Sequence, residues 1–181
     1  MAPFALVERT TRGLLLTAVN PPARALGLRR GQPHADAKAV APALESEPAD
    51  PERDGTALQR LALWAERFSP CVAVDGLVAG SEGLFLEMTG GAHLFGGEGA
   101  LLVELERRLQ AAGVPARAAI ADTPGAAWAL ARFGQDRIAA PGHVREALSG
   151  LPVEALRLAD KTFTLLRRFG LKRIGDRKSV V

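Results

Sequence analysis

Tyrosine is missing from this 181-residue sequence, and cysteine occurs once, as Cys71. A single thiol excludes an internal disulfide and a multi-cysteine zinc cluster, and it fits a cytoplasmic protein. Cys71 reads as a small buried strand residue. No apolar run approaches the roughly 18 residues a membrane span needs, so no membrane partner is expected. The opening MAPFALVERTTRG has Glu8 and Arg9 closing a short apolar patch, a poor match to a signal peptide. His34, His93 and His143 lie far apart and lack a metal spacing such as His-x-x-x-His, so neither a metal site nor histidine catalysis is expected.

Apolar residues make up 48% of the chain and charged residues 24%, which suits a folded protein of one or two domains. The charge is uneven. Residues 161–181 carry Lys161, Arg167, Arg168, Lys172, Arg173, Arg177 and Lys178 against Asp176, a balance of +6 in a chain of net +3. A basic end on a mildly acidic chain points to an anionic partner, nucleic acid first, or to a solubilising tail.

RGLLLTAV (12–19) reads as a strand, broken by Asn20-Pro21-Pro22 before a short helix from Ala23. ESEPADPERDG (45–55) is acidic and proline-containing, which predicts a linker or exposed loop. From Thr56 a helix is expected, with a Thr56/Gln59 capping box and Leu58, Leu61, Trp64, Ala65 and Phe68 on one face, ended by Pro70. CVAVD (71–75) and LFLEM (84–88) form a predicted hairpin around GLVAGSEG. GGEG (96–99) opens a helix with Leu101, Leu102, Leu105 and Leu109 inward; without a following lysine it is a structural turn rather than a phosphate loop. RAAIA (117–121) is a third predicted strand. Asp122 or Thr123 caps the next helix, Pro124 suits its first turn and Gly134 its C′ position. The order from Thr56, α-β-β-α-β-α, implies an α+β fold, an antiparallel sheet with helices on one face. Trp64 and Trp128 fall on apolar helix faces, where packing is expected over base stacking. After short helices around HVREALSG and PVEALRL, the chain closes on TFTLLRRFGLKRIGDRKSVV. There a glycine-framed turn suggests a helix-hairpin-helix with backbone N–H groups open to a phosphate.

In order and spacing, WAERFSPCVAVDG, LFLEMTGGAHLFGGE, AIADTPGAAWALARFG and LLRRFGLKRIGD resemble the Y-family DNA polymerases, the UmuC/DinB superfamily, and most of all its ImuB-like branch. The resemblance covers nearly the whole sequence. It implies a fingers-like segment over residues 1–54, an incomplete ferredoxin-like palm over 55–139 and the start of a helix-hairpin-helix thumb over 140–181. It also implies truncation at both ends, with a first catalytic strand upstream of Met1. The terminal RKSVV departs from the expected second thumb helix.

Active members hold two divalent metals on three carboxylates, one or two from a first strand and two from a Ser-x-Asp-Glu motif before the strand matching LFLEMTG. Paired metals about 3.5–4 Å apart need several carboxylates and substrate phosphates to offset their charge. Here Glu82 falls at the catalytic Asp and Gly83 at the Glu, and Asp75 is a second candidate for the acid because the loop is longer. Either way one carboxylate remains. Glu87 replaces an Asp that looks structural in the family. Active relatives also hold the triphosphate with Tyr-x-x-Arg and with a palm lysine. Arg24 survives in PPAR as a remnant, but Pro21 replaces the tyrosine and Pro124 the lysine.

The expected protein is therefore a catalytically inactive accessory factor in SOS repair and translesion synthesis, with no catalytic residue, no metal and no cofactor. DNA binding is expected from Arg167, Arg168, Gly170, Lys172, Arg173 and Gly175. The family further implies an error-prone replicative-type polymerase, the sliding clamp and a RecA-like companion as partners, at a cytoplasmic, nucleoid-associated location. Two alternatives stand. One is an active error-prone polymerase, using Mg2+, whose first catalytic strand lies upstream and in which Glu82 is a weak candidate ligand. The other is a non-functional fragment whose unpaired sheet edges aggregate.

Overall fold

A computed structural model describes residues 1–76 and 83–176. The chain divides into two compact units, Met1–Leu86 and Glu87–Val181. The first mixes short strands with helices, and the described part of the second is helical with isolated bridges, so the chain as a whole is α+β.

The first unit opens on a hairpin of β1 (Phe4–Thr10) and β2 (Gly13–Val19), turned at Gly13, whose φ of 102° lies in the left-handed region open to glycine. β3 (Glu45–Pro48) pairs parallel to the other edge of β1, giving the order β2-β1-β3. Ala5, Val7 and Leu16 point inward and pack against Ala23 of α1 (Pro21–Ala25), Ala37 of α2 (His34–Val40) and Leu44. Small residues on both short helices let their backbones approach the sheet closely. Asn20 fixes α1 at its start. Its side-chain oxygen accepts from Ala23 N and from Phe4 N, both at 3.0 Å, and its amide donates to Ala2 O at 2.8 Å.

Three expectations change here. The stretch 45–55 is not a linker: it holds β3 and the start of α3 (Pro51–Ala65). Its polar composition fits an edge strand, where Pro48 removes no interior ladder bond. The Thr56/Gln59 capping box is replaced by an earlier cap. Asp50 accepts from Arg53 N at 3.0 Å, Pro51 fills the first turn, and Thr56 Oγ1 donates to Glu52 O inside the helix. The predicted apolar face of α3 is the inward one, with Ala65 and Phe68 buried and Leu58, Leu61 and Trp64 half-buried. β4 (Val72–Asp75) and β5 (Gly83–Leu86) form the expected antiparallel hairpin, with Val72 opposite Leu86 and Asp75 opposite Gly83. Cys71 is exposed just ahead of β4 rather than buried within it, since the side chain before the first paired residue has no sheet neighbour to cover it.

In the second unit α4 (Glu98–Ala111) buries Leu101, Leu102 and Leu109. Gly96 and Gly97 turn into it at φ of 84° and 103°, a structural role for the GGEG segment. RAAIA is not a strand. Only Ile120 bridges, in parallel with Ile138, because its neighbours are tied elsewhere. Ala118 N donates to Glu106 of α4 at 2.8 Å, and the Arg117 guanidinium donates to Gly134 O. Burial pushes the Glu106 carboxyl up, but the Arg137 guanidinium and the Ala118 amide outweigh it and hold it below the usual range. α5 (Pro124–Phe133) is capped by Thr123, which accepts from Ala126 N at 3.3 Å. Gly134 ends it at φ −71°, not in the left-handed region; a Cβ there would meet Asp136 O at 2.6 Å, so close backbone approach selects the glycine. α6 (Val144–Ser149), a 3-10 turn (Val153–Leu156) and α7 (Asp160–Arg168) follow. Ala129, Leu130, Ala139, Leu151 and Ala155 form this unit's core.

Candidate functional site

The hairpin β4–β5 carries the residues expected near any metal chemistry. Asp75 ends β4 with 2% of its surface exposed. Opposite it, Gly83 starts β5, and nothing lies within 4 Å of where a Cβ would sit. Packing therefore does not force a glycine there. Glu82 lies outside the described residues. Among the described residues, no three His, Cys, Asp or Glu side chains come together as a metal site. One buried carboxylate facing a glycine does not fit a pair of divalent cations, which need several oxygen ligands of opposite charge. Glu87, beyond β5, accepts from both the hydroxyl and the N–H of Thr89; these bonds, the hydroxyl's first, hold its carboxyl below the usual range and shape a turn.

Arg24 is exposed in the last turn of α1. Pro21 and Pro124 each occupy the first turn of a helix, where the N–H that proline lacks has no intrahelical partner. The prolines thus suit their helices while offering a phosphate neither charge nor donor. His34 reaches Ser46 Oγ at 3.0 Å and His143 reaches Pro141 O at 2.9 Å, both local contacts. His93 sits in the 3-10 turn Ala92–Phe95, its carbonyl accepting from Gly96 N at 3.1 Å. Trp64 packs on Phe68 with ring centroids 5.5 Å apart. Trp128 is half-buried against the second core, with the Arg157 and Arg132 guanidinium carbons 4.7 and 5.1 Å from its ring centroid.

At the basic end, α7 finishes with Arg167 and Arg168, and Gly170 takes φ 78° as the chain reverses. Gly170 N donates to Arg167 O and Leu171 N to Leu166 O, both at 3.0 Å, a helix stop that needs a left-handed residue. Arg168, Lys172 and Arg173 are exposed. The turn differs from expectation in one respect: its amides are taken. Lys172 N and Arg173 N both donate to Asp176 Oδ2 at 2.8 Å. These bonds, Arg173's first, hold the Asp176 carboxyl below the usual range. Any phosphate contact at those two residues falls to their side chains. Gly175 does not frame an open anion nest either: its N donates to Ser149 O at 2.8 Å, and a Cβ would lie 2.9 Å from that oxygen. The second thumb helix and RKSVV fall largely or wholly outside the described residues.

Residues 1–132 match the impB/mucB/samB family. The chain belongs to that family. Protein ImuB of Caulobacter vibrioides, from strains NA1000 / CB15N and ATCC 19089 / CIP 103742 / CB 15, is 55% identical to it over 152 residues, 83% of this chain and 32% of ImuB. The chain spans about a third of the length of those curated relatives. Among solved structures, the insertion ternary complex of Dbh DNA polymerase matches 94% of this chain and 51% of its own, with TM-score 0.76 at 17% identity. DinB from Sulfolobus solfataricus matches the same shares with TM-score 0.69 at 15% identity. At that identity the likeness is one of fold, and the fold is the Y-family one.

Two acids at the chain's basic end, Glu154 and Asp176, were not singled out as site residues from the sequence. Asp176 had a local signal, three residues after Arg173 in a turn where a carboxylate can reach back to an amide. Glu154, thirteen residues before Arg167, had none.

Proposed function

We propose that this chain is part of a catalytically inactive, Y-family-like accessory protein of SOS DNA repair and translesion synthesis. It binds DNA and partner proteins while another polymerase adds nucleotides. The observation that carries this reading is the charge deficit at the β4–β5 hairpin, where buried Asp75 faces Gly83. The two helix-starting prolines, Pro21 and Pro124, support it from the nucleotide side. No catalytic residue, metal or cofactor is assigned.

In this reading residues 1–54 are fingers, 55–139 an incomplete palm and 140–181 the start of a thumb. Arg167, Arg168, Lys172 and Arg173 hold the DNA backbone through side-chain contacts that carry no sequence information. Gly170 and Gly175 shape the turn that presents them, and Arg24 is a remnant of the nucleotide site. The partner proteins are an error-prone replicative-type polymerase, the sliding clamp and a RecA-like companion, in the cytoplasm at the nucleoid. Primer extension by the full-length protein, on undamaged and lesion-bearing templates with Mg2+, tests the reading. No nucleotide addition is expected; metal-dependent extension refutes it and restores the active-polymerase alternative.

A further inference from the structure

Glu154 pairs with Arg167, one of the basic residues of this unit. It lies in the 3-10 turn Val153–Leu156, and its carboxylate accepts from the Arg167 guanidinium. Val153 N donates to Lys172 O at 3.0 Å, and Pro152 bridges to Arg173, so the segment bearing Glu154 is tied to the one bearing Lys172. Pro152, Glu154, Arg167 and Lys172 line one open cleft of about 290 Å³. Two cations and one anion leave that cleft with a net positive charge.

The Arg167 side chain is 65% exposed and that of Glu154 29%, so water screens the pair and it is weak. A guanidinium binds a phosphate through parallel N–H bonds as readily as it binds a carboxylate. A phosphodiester entering the cleft can therefore take Arg167 from Glu154 and meet Lys172 at the same time. The freed carboxylate has solvent to turn into.

We infer that the cleft is a subsite for one phosphodiester of a DNA backbone and that Glu154 is its built-in competitor, holding Arg167 until a phosphate displaces it. The inference rests on the reading that this unit binds DNA. It makes a prediction opposite to that of a merely structural ion pair: removing the negative charge tightens binding instead of loosening the protein.

The test is fluorescence anisotropy of a labelled primer–template duplex with the full chain over a salt series. Wild type, Glu154→Gln, Arg167→Gln and the double variant are compared. Glu154→Gln is expected to bind about three- to tenfold more tightly near physiological salt with the log K against log salt slope nearly unchanged, since both proteins make the same phosphate contact once bound. Arg167→Gln weakens binding, and adding Glu154→Gln to it changes nothing. A general field effect would persist in that background, so a gain there overturns the subsite. Equal or weaker binding by a Glu154→Gln variant of unchanged melting temperature also overturns it, while DNA binding by the wild type stands. Wild type that fails to bind DNA at all removes the DNA reading and the subsite together. A measurement without substitution gives a second check: the Arg167 Nε–H NMR signal shifts on DNA saturation, and an unmoved signal overturns the proposal.

Discussion

The end of the β4–β5 hairpin and the turn after α7 arrange their charged side chains in opposite ways. In a Y-family polymerase both would manage phosphate charge, the first through metals and the second through basic side chains. At the hairpin the described residues hold one carboxylate, Asp75, buried opposite a glycine with open space above it. At the turn the charge remains, with Arg168, Lys172 and Arg173 exposed, and acids of the same unit balance part of it. A carboxylate cluster without its metals repels itself, so on the proposed reading an inactive protein gains by losing it. Exposed lysines and arginines carry no such penalty in water and can be retained.

The contrast can be broken most easily at the basic end. Lys172→Ala/Arg173→Ala is expected to weaken DNA binding on the order of 30-fold near physiological salt and to make the salt slope shallower by about two. An unchanged slope in the anisotropy titration would remove the thumb assignment. The next largest effect is at Asp75. As a buried polar group held within its fold, Asp75→Asn should cost about 1–3 kcal/mol in chemical denaturation. A gain in stability would instead mark Asp75 as a strained remnant of a metal site.

A smaller effect concerns pH. Asp176 is held below its ordinary value by the Arg173 and Lys172 amides. Its contribution to the turn is therefore complete above the unfolded value of about 3.9 and is lost as pH falls through the lower native one. Amide hydrogen exchange at Lys172 and Arg173 should lose protection in that acid window, and in Asp176→Asn at every pH; protection independent of both would show that other contacts hold the turn. The smallest effect belongs to Gly83→Glu. Open space and an ordinary φ admit the side chain, while repulsion from Asp75 opposite it sets a cost of up to about 1 kcal/mol, and no nucleotide addition is expected. Restored extension by that single change would mean the hairpin lacks one carboxylate and nothing more.

Elements with local signals were legible. Thr123 with Pro124 marked the start of α5, the leucines of α4 marked its buried face, and short apolar runs marked β4 and β5. β1 was not recognised, since FALVERT at a chain start resembles any short apolar patch until β2 and β3 pair with it. β3 was missed for the same reason in reverse: ESEP has little strand character and is ordered by β1. RAAIA looked like a strand because periodicity cannot register that Ala118 N is bonded to Glu106, on a helix twelve residues back. At the site, the identities of Asp75 and Gly83 were readable because residue identity is local. The occupation of the turn amides by Asp176, and of Arg167 by Glu154, was not.

By itself the sequence determined the family, the apolar faces of α3 and α4, the start of α5, and which charges are present, because each depends on residue type and short spacing. Only the tertiary structure decided which strands pair, that Asp75 is buried, and which acid answers which base. Those outcomes depend on distances between residues far apart in the chain, which the folded backbone alone sets.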